Sequence, residues 1–173
     1  MNYFGITKGT LTDGPGVRIS LHVSGCDNHC KGCFLPESWN PKYGKKFDSI
    51  ALGEIIHYLG KPTTDGLTII GGDPLYPDNQ WHMRILLDSI RSIFGSSKSI
   101  WLYTGYKYED LLVSVEYGND TLKEILDSID VLVDGPYMEE YKEGEHMYRG
   151  SSNQRLIDMR KTAETGHIVE VSL

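Results

Sequence analysis

The stretch 24–34, "SGCDNHCKGCF", carries every cysteine of the chain, Cys26, Cys30 and Cys33, at a C-x3-C-x2-C spacing. Three thiolates on one short loop are soft ligands that select zinc, copper(I) or an iron–sulfur cluster. A disulfide framework would use an even number of cysteines spread over distant loops. Structural zinc closes its shell with four protein ligands, which here would recruit His22 or His29. An iron–sulfur cluster normally takes four cysteines; with three, one iron is left open to bind something else.

Three further segments could face a ligand: "GGDP" with Gly71, Gly72 and Asp73, "TGY" with Thr104, and "DGPY" with Asp134. Glycine admits close backbone approach, although a lone GGDP reads as a tight turn. What gives these segments weight is their position. Each ends an apolar run. "GVRISLHV" alternates Val17, Ile19, Leu21 and Val23, the period-two pattern of a strand, and runs into the cysteine loop. "GLTII", "SIWLY" and "DVLV" read as short strands ending at the other three segments.

Between them lie helical patterns. Ile50, Ile55, Ile56 and Leu59 share one face of a helix closed by Gly60; Met83, Leu86, Leu87, Ile90 and Phe94 share a second. "KYEDLLVSV" and "DTLKEILDSI" read as two helical pieces around the turn "EYGND". The tail after residue 148 carries no decisive period. Strand–helix alternation implies a mostly parallel sheet, because a parallel neighbour needs a long crossover. The loops at the C-terminal ends of such strands share one face. The expected fold is α/β, and a full (β/α)8 barrel takes about 250 residues, so 173 residues predict an incomplete barrel or an open curved sheet.

Composition narrows the function classes. The net charge of −7 argues against a nonspecific grip on nucleic acid. No apolar run approaches the roughly 20 residues of a membrane span, and the polar, glycine-rich opening "MNYFGITKGTLTDGPG" lacks a secretory apolar region. The expectation is one cytoplasmic domain over residues 1–173. Trp39, Trp81 and Trp101 are expected at the core or its edge, Arg18 as a solvated strand residue, and His57, His82, His146 and His167 in no site.

The cysteine spacing on the loop after the first predicted strand, with GGDP one βα unit later, resembles the radical S-adenosylmethionine (SAM) superfamily. "DGPGVR", residues 13–18, resembles the glycyl-radical-enzyme activating family within it. "WLYTGY", "DVLVDGPY" and "YRGSSNQR" resemble the branch that activates anaerobic ribonucleoside-triphosphate reductase. The resemblance implies a radical SAM-type incomplete barrel. It implies a [4Fe-4S] cluster on Cys26, Cys30 and Cys33, whose open iron chelates SAM. It implies SAM contacts from Gly32, Cys33, Phe34, Gly71, Gly72, Asp73, Thr104 and Asp134, with no catalytic side chain beyond cluster and cofactor. Gly32 stands where the family often has an aromatic residue, and Phe34 is the nearest substitute. The implied partners are the large subunit of anaerobic ribonucleoside-triphosphate reductase and a flavodoxin-like reductant, with neither nucleic acid nor membrane. The segment from about 148 is expected to contact a partner. A deazapurine synthase-like radical SAM enzyme acting on a free metabolite, and a non-catalytic metal-binding adaptor, are the alternatives.

Overall fold

A computed structural model describes residues 1–142, 144 and 147–172; His146 lies outside them. In chain order the elements are β1 (Asn2–Thr10), β2 (Arg18–Val23), β3 (Lys45–Lys46), α1 (Ser49–Leu59), β4 (Gly66–Gly71), α2 (Pro77–Phe94), β5 (Ser99–Tyr103), α3 (Tyr108–Glu116), α4 (Asp120–Asp127), β6 (Val131–Asp134), β7 (Arg155–Asp158) and α5 (Met159–Thr165).

The strands form one seven-stranded sheet in the order β3-β1-β2-β4-β5-β6-β7. It is mixed and not closed. β2, β4, β5 and β6 run parallel, from Arg18↔Gly66 to Tyr103↔Val133. β1 pairs antiparallel with β2 and β3, and β7 antiparallel with β6. The expectation of a mostly parallel sheet therefore holds for the four central strands and fails at both edges: residues 11–17 join β1 directly to β2, while β3 and β7 are reached through long stretches without an α-helix.

Period two separates the two faces. Ile19, Leu21, Val23, Leu67, Ile69, Ile100, Leu102 and Leu132 point to the helices and join Ile55, Leu59, Met83, Leu86, Leu87, Ile90 and Ile125 in one core. Burial of each such side chain contributes about 1.5–3 kcal/mol. The other face carries Arg18, Ser20, His22, Thr68, Trp101 and Tyr103, which are polar or amphipathic. This is the face that holds a site.

Asp48 caps α1, accepting from the Ile50 and Ala51 N–H groups, so the buried stripe is Ala51, Ile55 and Leu59. Ile50, expected in that stripe, is 78% exposed, because it stands about 100° round the helix from Ala51, on the outward side. Trp81, expected at the core or its edge, is exposed on α2, with the Arg84 guanidinium over its ring at 4.5 Å. Trp101 is buried as expected, in a smaller apolar cluster with Val131, Val133 and Leu156 on the other face of the sheet. No helix among the described residues is long and apolar enough to cross a membrane.

Candidate functional site

β2 ends at Val23, and a positive φ at Gly25 (99°) turns the chain into the cysteine loop. The Gly25 N–H donates to the Ser38 carbonyl (2.7 Å) and the Cys26 N–H to the Trp39 carbonyl (3.2 Å). A turn with Cys33 N–H on the Cys30 carbonyl (3.1 Å) brings the last two cysteines together. Inside the loop His29 adopts φ 45°, its ring 4.6 Å from that of Trp39.

All three cysteines are free and partly buried, and all three line one cavity of about 850 Å³ over the polar face of the sheet. Gly32, Phe34, Gly71, Gly72, Thr104, Gly105, Gly135, His22 and Tyr103 line it as well. The four strand-end segments thus open on a single space. Burial pushes the Cys26 and Cys30 thiols up from the ordinary thiol value, and a bound metal cation would reverse that. Among the described residues no three His, Cys, Asp or Glu side chains yet stand close enough to hold a metal ion. Three thiols on a glycine-bent loop at the mouth of a large cavity nonetheless form a donor set that suits a cluster with one open iron.

The glycines have separate reasons. Gly71 takes φ 121°, and a Cβ there would lie 2.6 Å from the Val23 carbonyl oxygen. Gly72 has no positive φ, but a Cβ on it would meet the Gly25 oxygen at 2.7 Å and the Ser38 oxygen at 2.9 Å. The close backbone approach at Gly72 is therefore to the anchor of the cysteine loop. Phe34 is fully exposed at the cavity rim.

Asp73 and Asp134 are fully buried and do not line the cavity. The Asp73 carboxylate accepts from Thr104 Oγ1 (2.9 and 3.0 Å), Gly105 N–H (2.9 Å), Leu75 N–H (2.9 Å) and Asn28 Nδ2 (3.1 Å). Burial pushes it up to about 6, against the Gly105, Leu75 and Thr104 donors. Asp73 ties the ends of β4 and β5 to the cysteine loop. Thr104, which touches the cavity, has its hydroxyl proton committed to Asp73.

Comparison with known proteins decides the family. Residues 12–157 match the family described as a 4Fe-4S single cluster domain. A protein of Enterobacteria phage T4 named anaerobic ribonucleoside-triphosphate reductase-activating protein is 38% identical over 156 residues, 90% of this chain and 93% of its own. The Escherichia coli K12 protein of the same name is 35% identical over 162 residues, 92% of this chain and 100% of its own. The Haemophilus influenzae one is 36% identical over 159 residues, covering 89% and 96%. The chain belongs to the family of anaerobic ribonucleoside-triphosphate reductase-activating proteins.

Within this activating-protein chain, two motifs have internal roles that their residue types did not reveal. Arg18 of "DGPGVR" is fully buried rather than solvated. Its guanidinium donates to Thr68 Oγ1, Ser99 Oγ and the carbonyls of Pro15, Leu67 and Ser99 at 2.7–3.2 Å. Gly14 lies against Arg18 and Trp101, where a Cβ would come within 3.0–3.2 Å of their side chains. Asp13 accepts from Ser20 Oγ (2.7 Å) and, through its carbonyl, from Thr68 Oγ1 (2.8 Å). "DGPGVR" is a plug at the N-terminal ends of the parallel strands.

"GSSNQR" is a latch on "DGPY". Gln154 Nε2 donates to the Gly135 carbonyl (3.0 Å), Asn153 Nδ2 to the Pro136 carbonyl (2.8 Å), and Met138 N–H to Ser151 Oγ (3.2 Å). Arg155 binds both Asp134 and Glu109. Gly150 and Gln154 reach the cavity wall. No local sequence signal distinguishes such inward hydrogen bonds from outward ones.

Proposed function

We propose that this chain activates an anaerobic ribonucleoside-triphosphate reductase by placing a glycyl radical on the large subunit of that enzyme, using a [4Fe-4S] cluster and SAM. The observation that carries the reading is the convergence of three free thiols and three glycine-bearing strand ends on one cavity in a chain of this family. When bound, the cluster supplies one electron that cleaves the carbon–sulfur bond of SAM and yields methionine and a 5′-deoxyadenosyl radical, which takes a hydrogen atom from a glycine Cα.

The residues of the chain bind, orient and shield. Cys26, Cys30 and Cys33 hold the cluster. The Gly71–Gly72 backbone, Thr104, Gly32, Cys33 and Phe34 border the space for SAM. Asp73 and Asp134 act one layer behind, fixing the loops that touch it. The polar face of β2 and β5 lines the cavity with His22 and Tyr103 without offering a general-base dyad, and hydrogen-atom transfer requires none. The open sheet is inferred to be the radical SAM type of incomplete barrel, its uncovered side admitting a protein backbone. Residues 1–173 act as one cytoplasmic domain. Its rim from about residue 148 and the exposed Phe34 meet the reductase, and a flavodoxin-like protein supplies the electron.

The test is spectroscopic. Under strict anaerobiosis the reconstituted protein, the cognate large subunit, SAM and a one-electron reductant should give a glycyl radical doublet that collapses to a singlet on Cα deuteration. Cys26→Ala, Cys30→Ala or Cys33→Ala should each abolish it, together with the bound iron. Efficient SAM cleavage with no protein radical would replace this reading with that of a metabolite enzyme.

A further inference from the structure

Asn28, inside the cysteine loop, makes two contacts with one nitrogen. Its Nδ2 stands 3.7 Å from the Cys26 sulfur and 3.1 Å from Asp73 Oδ2. An amide nitrogen carries two hydrogens, so both acceptors can be served together. The orientation is not arbitrary. A flipped amide would set its oxygen against the buried Asp73 carboxylate, which is itself held by Thr104 and the Gly105 N–H. The amide also has a fitted seat: a Cβ at Gly105 would lie 2.4 Å from Asn28 Nδ2 and 2.6 Å from its Cγ. Gly105 does not adopt a positive φ, so the missing side chain there is explained by the space that Asn28 occupies.

A chain of fixed groups therefore runs from the end of β5 through Asp73 to one sulfur of the three. The Asn28 and His29 backbone N–H groups favour the same thiolate. Among the described residues no side-chain donor reaches the Cys30 or Cys33 sulfur; the Tyr137 backbone N–H favours the Cys30 thiolate, and Cys26 is the corner that has a side-chain donor as well. Donors to cluster sulfurs stabilise the added negative charge of the reduced state, and hydrogen bonding to the sulfurs is one of the factors that set cluster potentials.

Resting on the function proposed above, we propose that Asn28 is a positioning residue. It donates one N–H to the Cys26 thiolate and the other to Asp73, and so makes the cluster easier to reduce. Gly105 is the glycine that leaves room for this arrangement.

Two variants of the reconstituted protein test it. Asn28→Leu keeps the shape and removes both donors; Gly105→Ala leaves Asn28 and Asp73 in place but pushes the amide off its seat. Both should load about four irons per chain. At a fixed solution potential, Asn28→Leu should lower the reduced-to-oxidised ratio about tenfold, which is 59 mV for one electron, and Gly105→Ala should lower it in the same direction. An exchangeable-proton coupling on the reduced cluster, present in the wild type, should be lost in Asn28→Leu. A ratio changed less than twofold in an iron-loaded Asn28→Leu protein overturns the proposal. Should that variant alone fail to load, the Gly105→Ala ratio decides; loss of iron from both variants overturns it in favour of a purely architectural role. If the wild type itself takes up no [4Fe-4S] cluster, the underlying functional reading fails instead, before the variants are compared.

Discussion

At the N-terminal ends of β2, β4 and β5 a fully buried cation, Arg18, is held by hydroxyls and carbonyls; at the C-terminal ends a fully buried anion, Asp73, is held by a hydroxyl and N–H groups. Among the described residues neither makes a salt bridge. Each has its charge solvated by oriented dipoles from separate strands, which serves to fix backbone that is far apart in sequence. The difference lies in what each clamp holds. Arg18 and the "DGPG" turn close the end of the strands opposite the cysteine loop; Asp13 of that turn lines the cavity, and Arg18 does not. Asp73 holds the ends of β4 and β5 in place beside the cysteine loop, and its backbone N–H donates to the Gly25 carbonyl at 2.7 Å. One end is a floor and the other a working edge, so damage at each should have a different symptom.

Arg18→Met tests the floor and should have the largest effect on stability. It relieves the desolvation that lowers the Arg18 value to about 10. It also leaves the Leu67 and Ser99 carbonyls and two hydroxyls short of a donor. Stranded buried acceptors cost about 1–3 kcal/mol each when unrelieved, and the gain offsets only part of this, so a net loss of about 2–4 kcal/mol is expected. Denaturant unfolding of the cluster-free protein measures it. Iron loading of the folded fraction should match the wild type; a selective loss of iron would erase the distinction between the two ends.

Asp73→Asn tests the working edge. An amide accepts fewer of the four donors and turns its own N–H groups on the rest, which costs about 1–3 kcal/mol, and here iron loading should fall with stability. The effect has a pH signature. Asp73 in the fold sits at about 6 against an ordinary 3.8, so between those values the folded state binds a proton that the unfolded state has released. Its contribution is therefore fully present below about pH 4 and is lost as pH rises through 6, by at most about 3 kcal/mol. The margin of wild type over Asp73→Asn should be wider at pH 4.5 than at pH 7.5. Parallel pH profiles would show that this carboxylate does not titrate with folding.

The working edge was legible in the sequence and the floor was not. Cysteine spacing and glycine after apolar runs are local signals, and β2, α1, β4, α2, β5, α3, α4 and β6 follow from periods of 2 and 3.6. The first strand escapes this reading. β1 is half-exposed along its length, with bulges between Tyr3 and Gly5 and between Lys8 and Thr10, so no apolar alternation survives. β7, with only Leu156 and Ile157 buried between Arg155 and Asp158, lacks the unbroken apolar run of β6, and the seven residues of α5 carry only two buried positions, Met159 and Thr162. Arg18, Asp73 and the "GSSNQR" side chains are polar residues whose burial is decided by partners far along the chain, such as Ser99, 81 positions from Arg18. Residue type predicts exposure for them, and only tertiary partners reverse it.

A third charged group sharpens the comparison, because here the buried ion does have a counter-charge. Asp134, fully buried, binds Arg155, whose guanidinium also forks onto Glu109 at 2.8 and 2.7 Å. The Arg155 guanidinium holds the Glu109 carboxyl down at about 2. A carboxylate lowered in the fold adds stability above its ordinary value near 4.5, and loses it as pH falls through that value toward 2. The Glu109 side chain is 55% exposed, so water and salt screen most of that interaction, and the pair is worth below about 1 kcal/mol. Glu109→Gln should therefore cost less than either buried clamp. Its small deficit should shrink further in 0.5 M salt and vanish near pH 2, with iron loading unchanged. Urea midpoints at low and high salt measure it. A loss as large as that of Arg18→Met would mean that Glu109, by orienting Arg155, carries the buried Asp134 charge as well, and that the outer arm of the fork is part of the clamp.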